Sequence, residues 1–291
     1  PGVSGGTIAF ITGIYEKLLA TIKAFHPSLV GTFRSDGISG VWKKINGTFL
    51  FFLLIGMGIG LGGGAFVITY LLETYPPIVW SFFFGLIISS VVYVGSKITV
   101  WSWKEIVFLI LGTALAFFIT VATPAQGSQS TFMIFISGFI AITALILPGI
   151  SGSFMLLLMG MYTFILGSVK EALKTQAWEH LKVFVVFGCG AVLGLVIFSR
   201  VLTWLFKYYR DLTLAILTGF MLGSLNKIWP WRNVLSTRVN RKGVEVPFLE
   251  ENVMPDAYFG EPFVFGVIIS MIIGILIVLV LSKFDKQTIE E

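Results

Sequence analysis

Leu147-Pro-Gly-Ile-Ser-Gly-Ser-Phe-Met155 lies near the middle of a stretch, residues 106–169, that contains no charged side chain. From Thr131 to Val169 a single helix would be roughly 58 Å long, nearly twice the ~30 Å hydrocarbon core of a bilayer. Pro148 removes a backbone donor, and Gly149 and Gly152 relax the chain, so two half-helices of about 16 residues each are expected instead. Neither half makes a comfortable span. Irregular backbone is tolerated at membrane depth only where protein surrounds it. The segment therefore reads as a re-entrant hairpin whose tip, Pro148-Gly-Ile-Ser-Gly-Ser153, is held inside the protein.

The rest of the chain agrees with a lipid environment. Of 291 residues, 56% are hydrophobic and 12% charged, and the mean hydropathy is +0.93. Soluble domains carry about 25% charged residues, so a water-soluble fold is excluded. Outside the hairpin, uncharged runs at 45–72, 74–96, 183–199, 212–226 and 262–282 divide the sequence. Spans are expected near Thr48–Leu72, Ile78–Val94, Ile106–Val121, Val183–Phe206, Thr213–Leu225 and Phe263–Leu281. They should be helical, because the alternation of lipid-facing barrel strands is missing. The segment around Lys17–Phe25 reads as an amphipathic surface helix, and residues 228–262, with Trp229-Pro-Trp231, as an interfacial loop anchored by aromatics. The net charge of +5 comes from Lys and Arg scattered singly between apolar runs. That pattern suits a membrane surface and excludes a nucleic-acid stripe. Cys189 is the only cysteine, so disulfides and a thiolate zinc site are excluded, and neither a metal nor a cofactor is expected.

The chain opens on a copy of the tip. Pro1-Gly-Val-Ser-Gly-Gly-Thr-Ile-Ala-Phe-Ile-Thr-Gly-Ile-Tyr15 aligns without gaps on Pro148-Gly-Ile-Ser-Gly-Ser-Phe-Met-Leu-Leu-Leu-Met-Gly-Met-Tyr162. The likeness continues with Gly56-Met-Gly58 against Gly188-Cys-Gly190 and Phe84-Gly-Leu-Ile-Ile-Ser-Ser90 against Thr218-Gly-Phe-Met-Leu-Gly-Ser224. Three crossings separate the two tips, and a hairpin adds none, so the second copy enters the membrane upside down. The expected fold is an all-α polytopic membrane protein of two inverted-topology repeats, residues 1–122 and 123–291, each a re-entrant helical hairpin plus three transmembrane helices. Inverted repeats are a transporter signature. By this reading the first hairpin lacks its leading half, a segment equivalent to Phe132–Leu147.

A proline followed by Gly-x-Ser-Gly at a half-helix start presents unpaired N–H groups and a hydroxyl at the positive end of the helix dipole, which suits an anion. Gly2, Val3, Ser4, Gly5, Gly6 and Thr7 of the first tip and Gly149, Ile150, Ser151, Gly152 and Ser153 of the second are the candidate ligand-binding residues. The competing reading is a glycine-rich kink that only lets helices pack closely. Arg200 is the one basic residue well inside an apolar run, and a forked guanidinium suits a phosphate. The alternative for Arg200 is snorkelling to the interface beside Lys207 and Arg210. Tyr15, Tyr162, Asn226 and Lys227 are weaker candidates, with interfacial anchoring as their competing role. His26 and His180 have no catalytic companions, and the expected spans hold no Asp, Glu or His. Catalytic apparatus is therefore not expected, and no carboxylate for ion coupling is evident.

These motifs, together with Phe198-Ser-Arg-Val-Leu202 and Thr218-Gly-Phe-Met-Leu-Gly-Ser-Leu225, resemble the bacterial polyprenyl-phosphate (undecaprenyl-phosphate) translocases over nearly the whole chain. The resemblance implies a multi-pass protein of the bacterial cytoplasmic membrane. It implies a flippase-type transporter that returns a carrier lipid between leaflets for reuse in peptidoglycan and other envelope polymers. It places a polyprenyl-phosphate headgroup at the two tips, with Arg200 as a counter-charge. A small inorganic anion channel or carrier, and a non-transporting envelope-assembly scaffold, are the alternatives.

Overall fold

The computed structural model describes residues 4–125, 127–175, 178–239 and 245–287. Pro1, Gly2 and Val3 lie outside them. In chain order the helices are α1 (Gly5–Ile11), α2 (Tyr15–Ala24), α3 (Ser28–Lys44), α4 (Gly47–Ile59), α5 (Ala65–Thr74), α6 (Pro76–Gly95), α7 (Trp103–Val121), α8 (Thr131–Ile146), α9 (Gly152–Leu158), α10 (Tyr162–Thr175), α11 (Trp178–Tyr208), α12 (Arg210–Ser224) and α13 (Val264–Gln287). Among the described residues, five stretches are long and apolar enough to cross a membrane: Gly47–Gly64, Pro76–Gly95, Trp103–Val121, Trp178–Tyr208 and Val264–Lys283. Large apolar side chains such as Phe66, Phe118 and Phe265 point outward, as they do where lipid is the solvent. The chain is a multi-pass membrane protein.

Glycines fix how the helices meet, because close backbone approach replaces the hydrophobic drive that lipid removes. A Cβ added to Gly85 of α6 would strike Met271 of α13, and one on Gly274 of α13 would strike Phe82 of α6. The same arrangement joins α12 to α7, through Gly219 against Leu109 and Gly112 against Ile216. Beside these two pairs, α8 packs on α11 through Gly138 against Phe187 and Gly190 against Phe135. Phe10, Tyr15, Ile146, Ile150, Phe206, Leu217 and Phe220 belong to one buried cluster between them.

The structure corrects one expectation and adds detail to two others. The descending half of the hairpin is not one helix of about 16 residues: α9 stops at Leu158 and α10 restarts at Tyr162 after a bend of 111°. Gly160, at φ +67°, turns the chain in the left-handed region. Gly160 N–H donates to Leu157 O (3.0 Å) and Met161 N–H to Leu156 O (2.9 Å), which closes the helix end in a Schellman motif. The first copy makes the same turn, with Gly13 at φ +70°, Gly13 N–H to Phe10 O at 3.1 Å and Ile14 N–H to Ala9 O at 2.9 Å. Second, the span at Thr48–Leu72 is not uniform, because a π-helical turn at Gly60–Gly64 separates α4 from α5. Third, the aromatic-anchored loop at 228–262 has regular structure of its own. It holds an antiparallel hairpin of β1 (Arg232–Val239) and β2 (Glu245–Asn252), with Arg232 opposite Asn252 and Val234 opposite Glu250. The indoles of Trp229 and Trp231 tie its ends down by donating to Val253 O and Pro262 O, both at 2.8 Å.

Candidate functional site

The two tips touch, and side chains of the first bond to the backbone of the second. Ser4 caps α1 by accepting from Thr7 N–H at 3.2 Å, and its own hydroxyl donates to Leu147 O at 2.9 Å. Gly149 N–H donates to Thr7 Oγ1 at 3.1 Å, and the two hydroxyls lie 3.3 Å apart. One proton per hydroxyl orders this into a relay, from Gly149 N–H through Thr7 and Ser4 to the Leu147 carbonyl. Tyr15 adds a bond from its phenol to Ile146 O at 3.2 Å. Helix ends leave carbonyls without intrahelical partners. Here the end of α8 is satisfied across the tip contact. Gly6 makes that contact possible, since a Cβ there would run into the Ile146 carbonyl. Ser4, Thr7 and Tyr15 are all buried.

The second tip faces elsewhere. Gly149, at φ +82°, lies against α12, where a Cβ would come 2.7 Å from Phe220 O and 2.8 Å from Met221 N. Ser151 caps α9 with a long bond from Phe154 N–H (3.4 Å), and its hydroxyl lies 2.9 Å from that of Ser153. Ser151 is half-buried and Ser153 exposed. Beside them is a void of about 10 Å³ lined by Gly149, Ile150, Ser151, Phe154, Ser224 and Lys227, room for about one water. Thr120, Phe154 and Lys227 also line a larger cavity of about 420 Å³, which extends to Asn226, Arg232, Glu250 and Asn252.

Charge is concentrated in this cavity. Lys227 Nζ and Arg232 Nη1 both reach Oε2 of Glu250, at 3.3 and 2.9 Å. The Lys227 ammonium sits 5.3 Å from the centre of the Phe154 ring, and the Arg232 guanidinium 4.2 Å from that of Trp80. Burial pushes Arg232 below the usual arginine range, and the Glu250 carboxylate opposes that shift. Asn226 donates to Thr120 Oγ1 at 2.8 Å, and Asn252 to Asn226 Oδ1 at 2.9 Å. Two cations and a set of amides and hydroxyls beside a half-helix N-terminus can hold an anionic headgroup.

Of the residues picked out by sequence, Ser4, Gly6 and Thr7 are brought against Gly149 and its neighbours, with Tyr15 at the contact, while Gly5 is exposed with open space where a Cβ would stand. Ile150, Ser151, Gly152 and Ser153 follow on, and Asn226 and Lys227 stand beside them. Tyr162 opens α10 and is half-buried. Arg200 is exposed on α11 and lines neither cavity. Gly2 and Val3 lie outside the described residues. Sequence reading missed Arg232 and Glu250. Their approach depends on strand pairing, and the signal within Arg232–Asn252 is a basic residue at one end answered by acids at the other.

No solved structure matches the chain. A polyprenyl-phosphate transporter of Vibrio cholerae serotype O1 is 44% identical over 291 residues, 99% of this chain and 92% of that protein. A polyprenyl-phosphate transporter of Staphylococcus aureus is 32% identical over 242 residues, 79% of this chain and 81% of its own length. The family described as undecaprenyl phosphate translocase-like matches residues 1–246. With the two tip motifs in contact and relatives aligned along nearly its whole length, the chain belongs to the undecaprenyl phosphate translocase-like family.

Proposed function

We propose that this protein is a flippase-type transporter that binds the headgroup of undecaprenyl phosphate at the second tip and moves the lipid between the leaflets of the bacterial cytoplasmic membrane. The observation that carries the reading is the cavity of about 420 Å³, lined by Lys227, Arg232, Asn226 and Glu250 among apolar side chains, that meets the second tip through Lys227 and Phe154. A phosphate crossing about 30 Å of hydrocarbon unaided meets a desolvation barrier of many kcal/mol. Oriented donors at a half-helix N-terminus, two cations and two serine hydroxyls replace much of its hydration, while the polyprenyl tail stays in lipid. The protein adds no chemistry to the lipid and works as a carrier that recycles it for envelope polymer synthesis.

Residues 1–122 and 123–291 act in this reading as inverted-topology repeats that alternate access by rocking against each other. The matching turns at Gly13 and Gly160, and the matching pairs α6–α13 and α7–α12, support that division. The close packing between the tips is what a non-transporting scaffold would also have. The cavity at the second tip favours transport. Reconstitution of the protein in vesicles, with leaflet transfer of undecaprenyl phosphate as the readout, decides between them. Transfer by the wild type that is lost on Gly152→Val is the expected result, and undiminished transfer by that variant removes the headgroup from the second tip.

A further inference from the structure

Glu250 stands where an anionic ligand would. Both nearby cations converge on a single one of its oxygens, Oε2. The Arg232 side chain is 7% exposed, and its Nε–H is buried without an acceptor among the described residues. A buried donor left unpaired is unfavourable and rare. Glu251, the other acid lining the cavity, is exposed and contacts neither cation. A carboxylate thus neutralises the pair only in part and leaves a guanidinium donor over. Lys227 also lines the small void at Ser151, so the residue that pairs with Glu250 borders the second tip as well.

We propose that Glu250 is a resident stand-in for the substrate: in the empty protein its carboxylate occupies the Lys227–Arg232 anion site, and a phosphate monoester must displace it to bind. The proposal rests on the headgroup reading above and adds how that site is held when unfilled. A phosphate monoester offers three terminal oxygens where the carboxylate offers two, and Arg favours side-on, two-point contact with such groups. Headgroup and carboxylate exclude one another, because both together would bring like charges onto the same two cations. Glu250 therefore keeps the cation pair from standing unpaired between substrates, and it lowers affinity enough for the headgroup to leave.

The test uses the full chain in nanodiscs with undecaprenyl phosphate as the probe, and inorganic phosphate in a separate arm. Glu250→Gln is expected to bind the lipid about tenfold more tightly than wild type, the gain when a closed state holding ~90% of the population is removed. Lys227→Met is expected to bind it about tenfold more weakly, as loss of one close charge partner implies. Glu261→Gln, an equal charge change on the same loop, should match wild type. Tightening for the lipid alone assigns the site to a lipid headgroup, and tightening for inorganic phosphate as well makes it a general phosphate site. Unchanged or weaker binding by Glu250→Gln overturns the stand-in. If wild type and both variants bind the lipid alike and leaflet transfer persists, the stand-in falls while the transport reading survives. If wild type binds no lipid phosphate, both fall. Should Glu250→Gln not fold, Glu250→Asp, whose shorter side chain withdraws the carboxylate, carries the same expectation.

Discussion

Ser4 and Ser151 hold the same place in two copies of one motif, and each caps a seven-residue helix, but their hydroxyls serve different ends. Ser4 is 5% exposed and bonded to the Leu147 carbonyl across the tip contact. Among the described residues Ser151 has only Ser153 and its own helix as partners. The glycines are inverted in the same sense. Gly5 has open space where a Cβ would stand, whereas its equivalent Gly152 lies against Ala141; Gly6 is pressed on Ile146, whereas its equivalent is the exposed Ser153. At the contact the first tip supplies side chains that hold the second, whereas in the second Ser151 borders a small void and Ser153 stays exposed. Sequence likeness conserves the local turn; it does not conserve which face meets protein.

Substitutions in the two tips break or sharpen this contrast. The largest effect is expected at Gly149, where a side chain meets both a positive φ and the α12 backbone. Gly149→Val should lose about 3 kcal/mol or more and abolish leaflet transfer. Gly5→Ala, with free space and a helical position, should stay within about 1 kcal/mol of wild type, on the stabilising side. Thermal unfolding in detergent measures both, and equal losses would erase the distinction between the tips. Next comes Thr7→Val, which leaves the buried Gly149 N–H without its acceptor and should cost about 2 kcal/mol. Tyr15→Phe should cost about 1 kcal/mol through the bond to Ile146, against less than ~0.5 kcal/mol for the half-buried equivalent, Tyr162→Phe. Ser153→Ala is the smallest in stability, within about 0.5 kcal/mol. If the second tip holds the headgroup, the same substitution weakens undecaprenyl-phosphate binding by about tenfold or more, since hydrogen bonds to charged groups are worth about 1.5–3 kcal/mol. A stable variant with unchanged lipid affinity would take Ser153 out of the site.

Much of the membrane fold was legible because its signals are local. Charge-free runs mark where helices partition into lipid, and Pro148-Gly149 breaks a helix wherever it stands. The bend at Gly160 was less legible. The glycine is visible in both copies, but a lone glycine after a helix does not give the direction of the chain, and its repetition at Gly13 was the available clue. The β-hairpin and the Arg232–Glu250 pair were not legible as a site, because polar residues in a loop converge only once strand register is set. Arg200 attracted attention as a charge in an apolar run. Its exposed place on α11 depends on which helix face meets α8 and α2, and spacing along one helix does not carry that information.

What the sequence alone determined is the environment, the broken helix and the duplicated tip with its capping serine, all of which follow from solvation and from bonds within a turn or two. Only the tertiary structure decided that Thr7 bonds to Gly149 across 142 residues of chain, and that Lys227, Arg232 and Glu250 close around one cavity. Such contacts depend on which surfaces of separate helices and strands are brought together by packing, and two segments with nearly the same sequence come to opposite roles because their neighbours differ.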